Sequence, residues 1–356
     1  MSFLTKMAGI LLAVVGFVAI ASASAPKDPS WERKEYSVSD QQYKGFITVR
    51  PGRDLFVDLV KAAPGNPTVF LLNGLTYSTE QWNDFIPFLL KNKIGVVRID
   101  LFGMGQSLIM KSGPPLSAIS YQDQVEDLKG LMDVLKIKGP HNLLGLSYGG
   151  AIAMAFVKQY PSLVNKLILM APFTKPVGAQ DTWIRSQIWF VRKTNPMNPF
   201  SDDDLYDYYL RQIVYSTYPS AEPVILSHPY KLEGVYRLVQ GVRKFLASEA
   251  VGSFPVKSVH LVLAARDQYI EPSVFSEFWN SVPAESRSSL LVINDSEHKI
   301  PQNVPDFSAG WVYNILMNHR LLNQGLDFIG DPKTGAVYQN GEKVIDLPKG
   351  IKYGYL

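Results

Sequence analysis

Cysteine is absent from the 356 residues. That excludes disulfides, a thiolate nucleophile and any metal site built on cysteine, so an exported form would rely on its core for stability. A large excess of one charge is missing too. The 35 basic and 32 acidic residues leave a net charge of +3, with no dense Lys/Arg run. Nucleic acid and a basic membrane-surface patch are therefore not expected. Histidine is scarce, at five residues, which narrows the search for a general base. No internal repeat, low-complexity tract, metal-ligand cluster or phosphate-cradling glycine loop is found, and no cofactor is expected. What remains is 46% hydrophobic and 12% aromatic. That supplies a sizeable core, at a length suited to one large α/β domain with an insertion or to two ordinary domains.

The first 25 residues read as an address rather than as fold. A short positive segment (1–6) precedes an apolar one (7–20) and then Ala21, Ser22, Ala23, Ser24 and Ala25, the layout of a secretory signal. Pro26 disfavours a cut after Ala25, so cleavage is expected after Ala23, giving a periplasmic or secreted protein. The alternative is an uncleaved membrane anchor, but the apolar stretch is short and glycine-interrupted for a bilayer span.

Apolar runs at 68–72, 96–99, 142–146, 166–170, 260–264 and 290–293 predict strands buried on both faces. Helical faces lie between them: Trp82, Phe85, Ile86 and Leu89, then Val125, Leu128, Met132 and Leu135. That alternation predicts an α/β fold, a mostly parallel central sheet with helices on both faces. Ahead of it, residues 35–49 and 55–60 flank the turn signal Pro51, Gly52, Arg53 and Asp54, as antiparallel strands would. The alternation breaks over about 175–255, a stretch rich in Trp and Tyr that reads as a helical lid with apolar lining. The organisation expected is a signal at 1–23, a core at 24–175 and 256–325, a lid at 176–255 and a tail at 326–356. Within the tail, Asn340-Gly341 between two short strands predicts a β-hairpin. It is read as an appendix packed on the body, or else as a docking surface.

Gly145, Leu146, Ser147, Tyr148 and Gly149 form a G-x-S-x-G pattern after an apolar strand and before a small-residue helix. A serine on such a turn is held clear of the sheet, in backbone too crowded for bulky neighbours, and the helix N-terminus aims free N–H groups at the reacting oxygen. A serine needs a base. His141 and His260 sit at strand starts, His228 in the lid and His319 at a helix end; His298 alone follows a core strand in a loop. Asp267, one strand earlier, is the expected partner of its ring, with Glu271, Asp295 and Glu297 as rivals. The oxyanion donors expected are the backbone N–H groups of Tyr148 and of Leu75, in the loop Asn73-Gly74-Leu75.

Together these features resemble the α/β-hydrolase family, in its lid-bearing branch of esterases, proline-iminopeptidase-like peptidases and carbon–carbon bond hydrolases. The resemblance covers about residues 35–318. Asp100, Gly103, Gly105 and Ser107 match the family's D-x-x-G-x-G-x-S turn, and Asp267 with Glu271-Pro272 resembles its acid loop. The departure is Asn73, where His-Gly is usual. The resemblance implies a serine hydrolase of small carboxylic esters with an apolar part. A second reading is an aminopeptidase, with Asp202, Asp203, Asp204 and Glu222 as candidate amine binders. A third is a non-catalytic envelope protein that binds an apolar ligand.

Overall fold

The computed structural model describes residues 35–108, 117–176, 178–221, 231–251, 258–270 and 272–352. The proposed signal, Glu222, His228 and Glu271 lie outside them. Eleven strands form one sheet in the order β1-β2-β4-β3-β5-β6-β7-β8-β9-β10-β11. β1 (Gln42–Arg50) and β2 (Arg53–Val60) make the antiparallel entry hairpin, and β2 hands over to β4 (Gly95–Asp100). From there β3 (Thr68–Leu72), β5 (His141–Leu146), β6 (Val164–Met170), β7 (Val259–Ala264), β8 (Arg287–Ile293) and β9 (Leu326–Asp331) run parallel. Every residue of β4, β5 and β7 is buried. Both faces of these strands are therefore covered, which is why they appear in the sequence as unbroken apolar runs.

The covering helices form two groups. α1 (Ile86–Lys91) packs against α10 (Pro305–Leu316), while α2 (Tyr121–Leu135), α3 (Tyr148–Gln159) and α7 (Ala247–Val251) pack together. α2 buries the expected face of Val125, Leu128, Met132 and Leu135, and its start is fixed by the Ser120 hydroxyl, which accepts from Asp123 N. Between β6 and α7 lie α4 (Gly178–Thr194), α5 (Asp202–Ala221) and α6 (Lys231–Val242). They enclose a small core of their own around Ile184, Leu205, Leu210, Val214 and Val235. Ser201 caps α5 reciprocally. Its hydroxyl accepts from Asp204 N at 3.1 Å, and its own N–H donates to the Asp204 carboxylate at 2.9 Å.

The C-terminal hairpin forms as its sequence predicts, β10 (Ala336–Gln339) with β11 (Glu342–Asp346), and both Asn340 and Gly341 take positive φ. It is more than an appendix. β9 pairs in parallel with β8, and β10 and β11 extend the same sheet. β9 carries no strand signature in the sequence, because its residues alternate between exposed and buried, ending Gly330-Asp331, with no apolar run. The remaining helices are α8 (Pro272–Ser281) and α9 (Ile300–Asn303).

His260 shows what the sheet interior does to a titratable group. Its ring is fully buried between the hydroxyls of Ser289 (2.7 Å) and Ser258 (2.9 Å). Burial, and secondarily the Lys166 ammonium, push its pKa down to about 3. An unfolded chain would protonate this ring near an ordinary pKa of about 6.5. The ring's contribution to stability is therefore complete above that value and declines as the pH falls towards about 3. In urea titrations, the stability margin of the parent over His260→Gln should shrink across this acid window and stay constant above it. A second prediction concerns packing: a Cβ at Gly149 would lie 2.3 Å from the Leu72 carbonyl oxygen, a backbone atom with no room to move. Gly149→Ala should cost about 1–3 kcal/mol in chemical denaturation.

Candidate active site

Seven parallel strands, β3 to β9, place their following loops along one rim of the sheet, the edge where open α/β sheets bind ligands. β5 delivers Ser147 there, at φ 49° and ψ −115°, backbone that L residues rarely adopt and that costs on the order of 1–3 kcal/mol. Backbone hydrogen bonds enforce it. Ser147 N donates to Met170 O at 3.0 Å, and Ser147 O accepts from Gly150 N and Phe173 N at 2.9 Å each. The turn leaves no space for side chains beside it: a Cβ at Gly145 would meet Gly149 O at 2.4 Å. Tyr148 is the first residue of α3, so its N–H has no acceptor within the helix.

β7 and β8 deliver Asp267 and His298. His298 Nδ1 lies 2.7 Å from Asp267 Oδ2. The other carboxylate oxygen, Oδ1, accepts from Tyr269 N and Ile270 N at 2.9 Å each. The Asp267 side chain is only 2% exposed. Its orientation is thus held by two amides while one oxygen is left for the ring. Asp295 is committed elsewhere, to Arg266 and to Lys333 Nζ. Among the other described histidines, His141 stacks edge-on to Phe70 and His260 is sealed between serines.

Ser147, His298, Leu75 and Tyr148 line one cavity of about 440 Å³. Its walls are mainly apolar, with Leu146, Phe173, Pro176, Ile184 and Leu210 among them. Leu75 packs against both the main core and the small core of the helical insert. Asp181, Tyr206 and Arg243 close the cavity on the insert side and also line an adjoining groove of about 420 Å³. Sequence reasoning missed these three. They come from α4, α5 and the turn just after α6, and only the packing of these three helices brings them together. Tyr206 OH donates to Asp181 at 3.0 Å, Arg185 donates to the same carboxylate at 2.7 Å, and the Arg243 guanidinium lies 5.0 Å from the Tyr206 ring centre. Burial, and next the Asp181 carboxylate, push the Tyr206 phenol up to about 12. Asp202 pairs with Arg192, Asp203 with Arg243, and Asp204 caps α5; none of them lines the cavity with Ser147. Among the described residues, no group of three or more His, Asp or Glu is placed to hold a metal, and no helix is long and apolar enough to cross a membrane.

Asn73 is fully buried and joins two buried partners. Its Oδ1 accepts from the indole N–H of Trp82 at 2.8 Å, and its Nδ2 donates to Asp100 Oδ1 at 3.3 Å. Asp100 also accepts from Thr79 N and, at 2.8 Å, from Gln106 N. Burial pushes its carboxyl up to about 7, against the downward pull of those donors. The network ties the loop after β3 to the turn after β4. Gly74 N is held separately by Gln81 Oε1 at 2.9 Å.

This architecture, with a strained serine between a central strand and a helix, is that of the α/β hydrolases. Solved structures of the fold superpose over 78% of the chain. They include an α/β hydrolase from a Medee basin deep-sea metagenome library (TM-score 0.58, 19% identity, 98% of that chain). An esterase from Exiguobacterium antarcticum matches similarly (TM-score 0.57, 19% identity, 100% of that chain). The chain belongs to the serine aminopeptidase S33 family, whose model matches residues 64–303. An uncharacterized protein of Mycobacterium tuberculosis is 31% identical over 126 residues, 35% of this chain and 34% of the relative. A monoacylglycerol lipase of Homo sapiens is 30% identical over 114 residues, 32% of each. The chain thus spans about a third of the length of the curated relatives it matches.

Asn73→Ala would strip the acceptor from a fully buried indole N–H and one donor from Asp100. Urea denaturation should register a loss of about 1–3 kcal/mol.

Proposed function

We propose that the chain is a serine hydrolase that cleaves carboxylic esters through an acyl-enzyme. The observation that carries this reading is the hydrogen bond to Asp267 from His298, which lines the same cavity as Ser147. In this reading His298 Nε2 takes the Ser147 proton as Oγ attacks the ester carbonyl. Asp267, bonded to Nδ1, fixes the tautomer and stabilises the imidazolium. The carbonyl oxygen, now an oxyanion, receives the N–H groups of Tyr148 and Leu75. Each such donor is worth about 3 kcal/mol in the barrier. Collapse of the tetrahedral intermediate expels the alcohol, which leaves with the proton from His298. A water molecule then repeats the sequence on the acyl-serine and releases the acid; another alcohol as acceptor would give acyl transfer by the same route.

The apolar cavity supports an ester with an apolar part, and the match to monoacylglycerol lipases favours a lipid-like acyl group. The family's aminopeptidase description supports the second reading. Against it, a substrate ammonium would have to displace Arg185 from Asp181, the carboxylate that lines the cavity. We also propose export after removal of residues 1–23.

Ser147→Ala should lower ester turnover by about six decades and abolish labelling by a fluorophosphonate probe. Asp267→Asn should lower kcat by about 10⁴-fold, by presenting an amide N–H to the ring and reversing its tautomer. Aminoacyl anilides run beside short and medium-chain esters decide between peptidase and esterase. A parent protein with Ser147-independent hydrolysis would refute both.

A further inference from the structure

The loop that carries His298 is short, yet the C-terminal chain holds it at both ends. At its start, Asn294 N donates to Gly330 O of β9 at 2.8 Å, and the Asp295 carboxylate is paired with Lys333 Nζ at 2.5 Å. At its far end stands Asn303, the last residue of α9 and only 7% exposed. The Asn303 amide side chain works in two directions. Its Oδ1 accepts from Glu297 N, the amide preceding His298, at 3.1 Å. Its Nδ2 donates to Lys352 O at 2.9 Å, and Lys352 N donates back to Asn303 O at 2.7 Å.

The segment that supplies Lys352 is itself tied down. Leu347 N donates to Gly335 O at 2.7 Å, and Gly350 N donates to Pro332 O at 2.8 Å. The Lys352 ammonium reaches Asp84 at 2.8 Å. Leu347 is buried in the main core, and Ile351 packs against it. The path from the tail to the imidazole is thus continuous: residues 347–352, Asn303, the Glu297 amide, then His298. The other ring anchor, Asp267, acts from the opposite side. Without the Asn303 link, the Glu297 amide loses its acceptor, and the imidazole is left to the Asp267 bond, the edge-on Tyr269 ring at 5.0 Å and the local bonds of Ile300 N to His298 O and Arg266 N to Ser296 O.

We propose that residues 347–352 are a positioning strap for His298, acting through Asn303. The proposal rests on the esterase reading for its kinetic test but not for its spectroscopic one. Asn303 does not touch substrate; it holds the base at the distance from which proton transfer is productive. Misplacement of a reacting group by about 1 Å costs up to about a hundredfold in rate.

Three full-length variants test this. Asn303→Asp keeps the acceptor for Glu297 N but turns an anionic oxygen onto Lys352 O, breaking the side-chain half of the strap's double link. Lys352→Pro removes the N–H that reaches Asn303 O, at a distance from the cavity. Lys352→Ala removes the Asp84 ion pair and leaves both backbone links. The first two should lower kcat by about ten- to a hundredfold with KM within about twofold of the parent, while Lys352→Ala keeps the parent's kcat. The rate of fluorophosphonate labelling at Ser147 should fall in step with kcat. The His298 Cε1–H resonance, assigned by its loss in His298→Gln, should shift in Asn303→Asp and Lys352→Pro alone. Should Asn303→Asp not fold, Lys352→Pro carries the same comparison. Unchanged kcat and an unmoved resonance in folded Lys352→Pro overturn the strap, as does a loss matched by Lys352→Ala. A parent protein without esterase activity, but with the resonance shifted in the two severed variants, overturns the esterase reading and leaves the strap standing.

Discussion

The backbone of Ser147 is the constraint on which everything else depends. A residue at φ 49° and ψ −115° does not stay there unaided. Strand β6 receives its N–H through Met170, and the chain beyond β6 returns through Phe173 to donate to its carbonyl. The strain is thus carried by the central sheet, whose strands are buried on both faces and cannot easily relax. Placing the serine at the first turn of α3 follows from the same geometry. So does the free amide of Tyr148 beside it.

The second half of the site is built differently. Asp267 and His298 come from the ends of neighbouring strands, and their bond is short because β7 and β8 lie side by side. Loop amides lock the aspartate, whereas the histidine depends on partners distant in sequence. Asn73 shows the same principle at the loop after β3: a buried amide with one donor and one acceptor joins Trp82 to Asp100 across two turns. Buried polar groups arranged this way specify a single loop conformation, because each is costly to leave unpaired.

What could be read from sequence follows from these physical differences. The core strands announced themselves because burial on both faces demands uninterrupted apolar residues; the run at 68–72 coincides with β3. Ser147, Asp267 and His298 stand out as candidates because each follows such a strand. β9 was not legible, since a half-buried strand ending in Gly330-Asp331 looks like loop. Nor was the meeting of Asp181, Tyr206 and Arg243. Helical periodicity says which face of each helix is apolar but not how three helices lean on one another. The tail's turn chemistry was plain at Asn340-Gly341, but its continuation of the sheet depends on pairing with β8, which no local pattern encodes.

Leu75 belongs to two packing units at once. Its side chain is wedged between the sheet's apolar interior and the separate cluster inside the helical insert, while its amide sits in the loop that faces Ser147. Tilting the insert away from the sheet would therefore withdraw one wall of that wedge and loosen the loop beneath. In the proposed esterase, admission of a guest molecule and readiness of the anion cradle are thereby mechanically joined at one leucine.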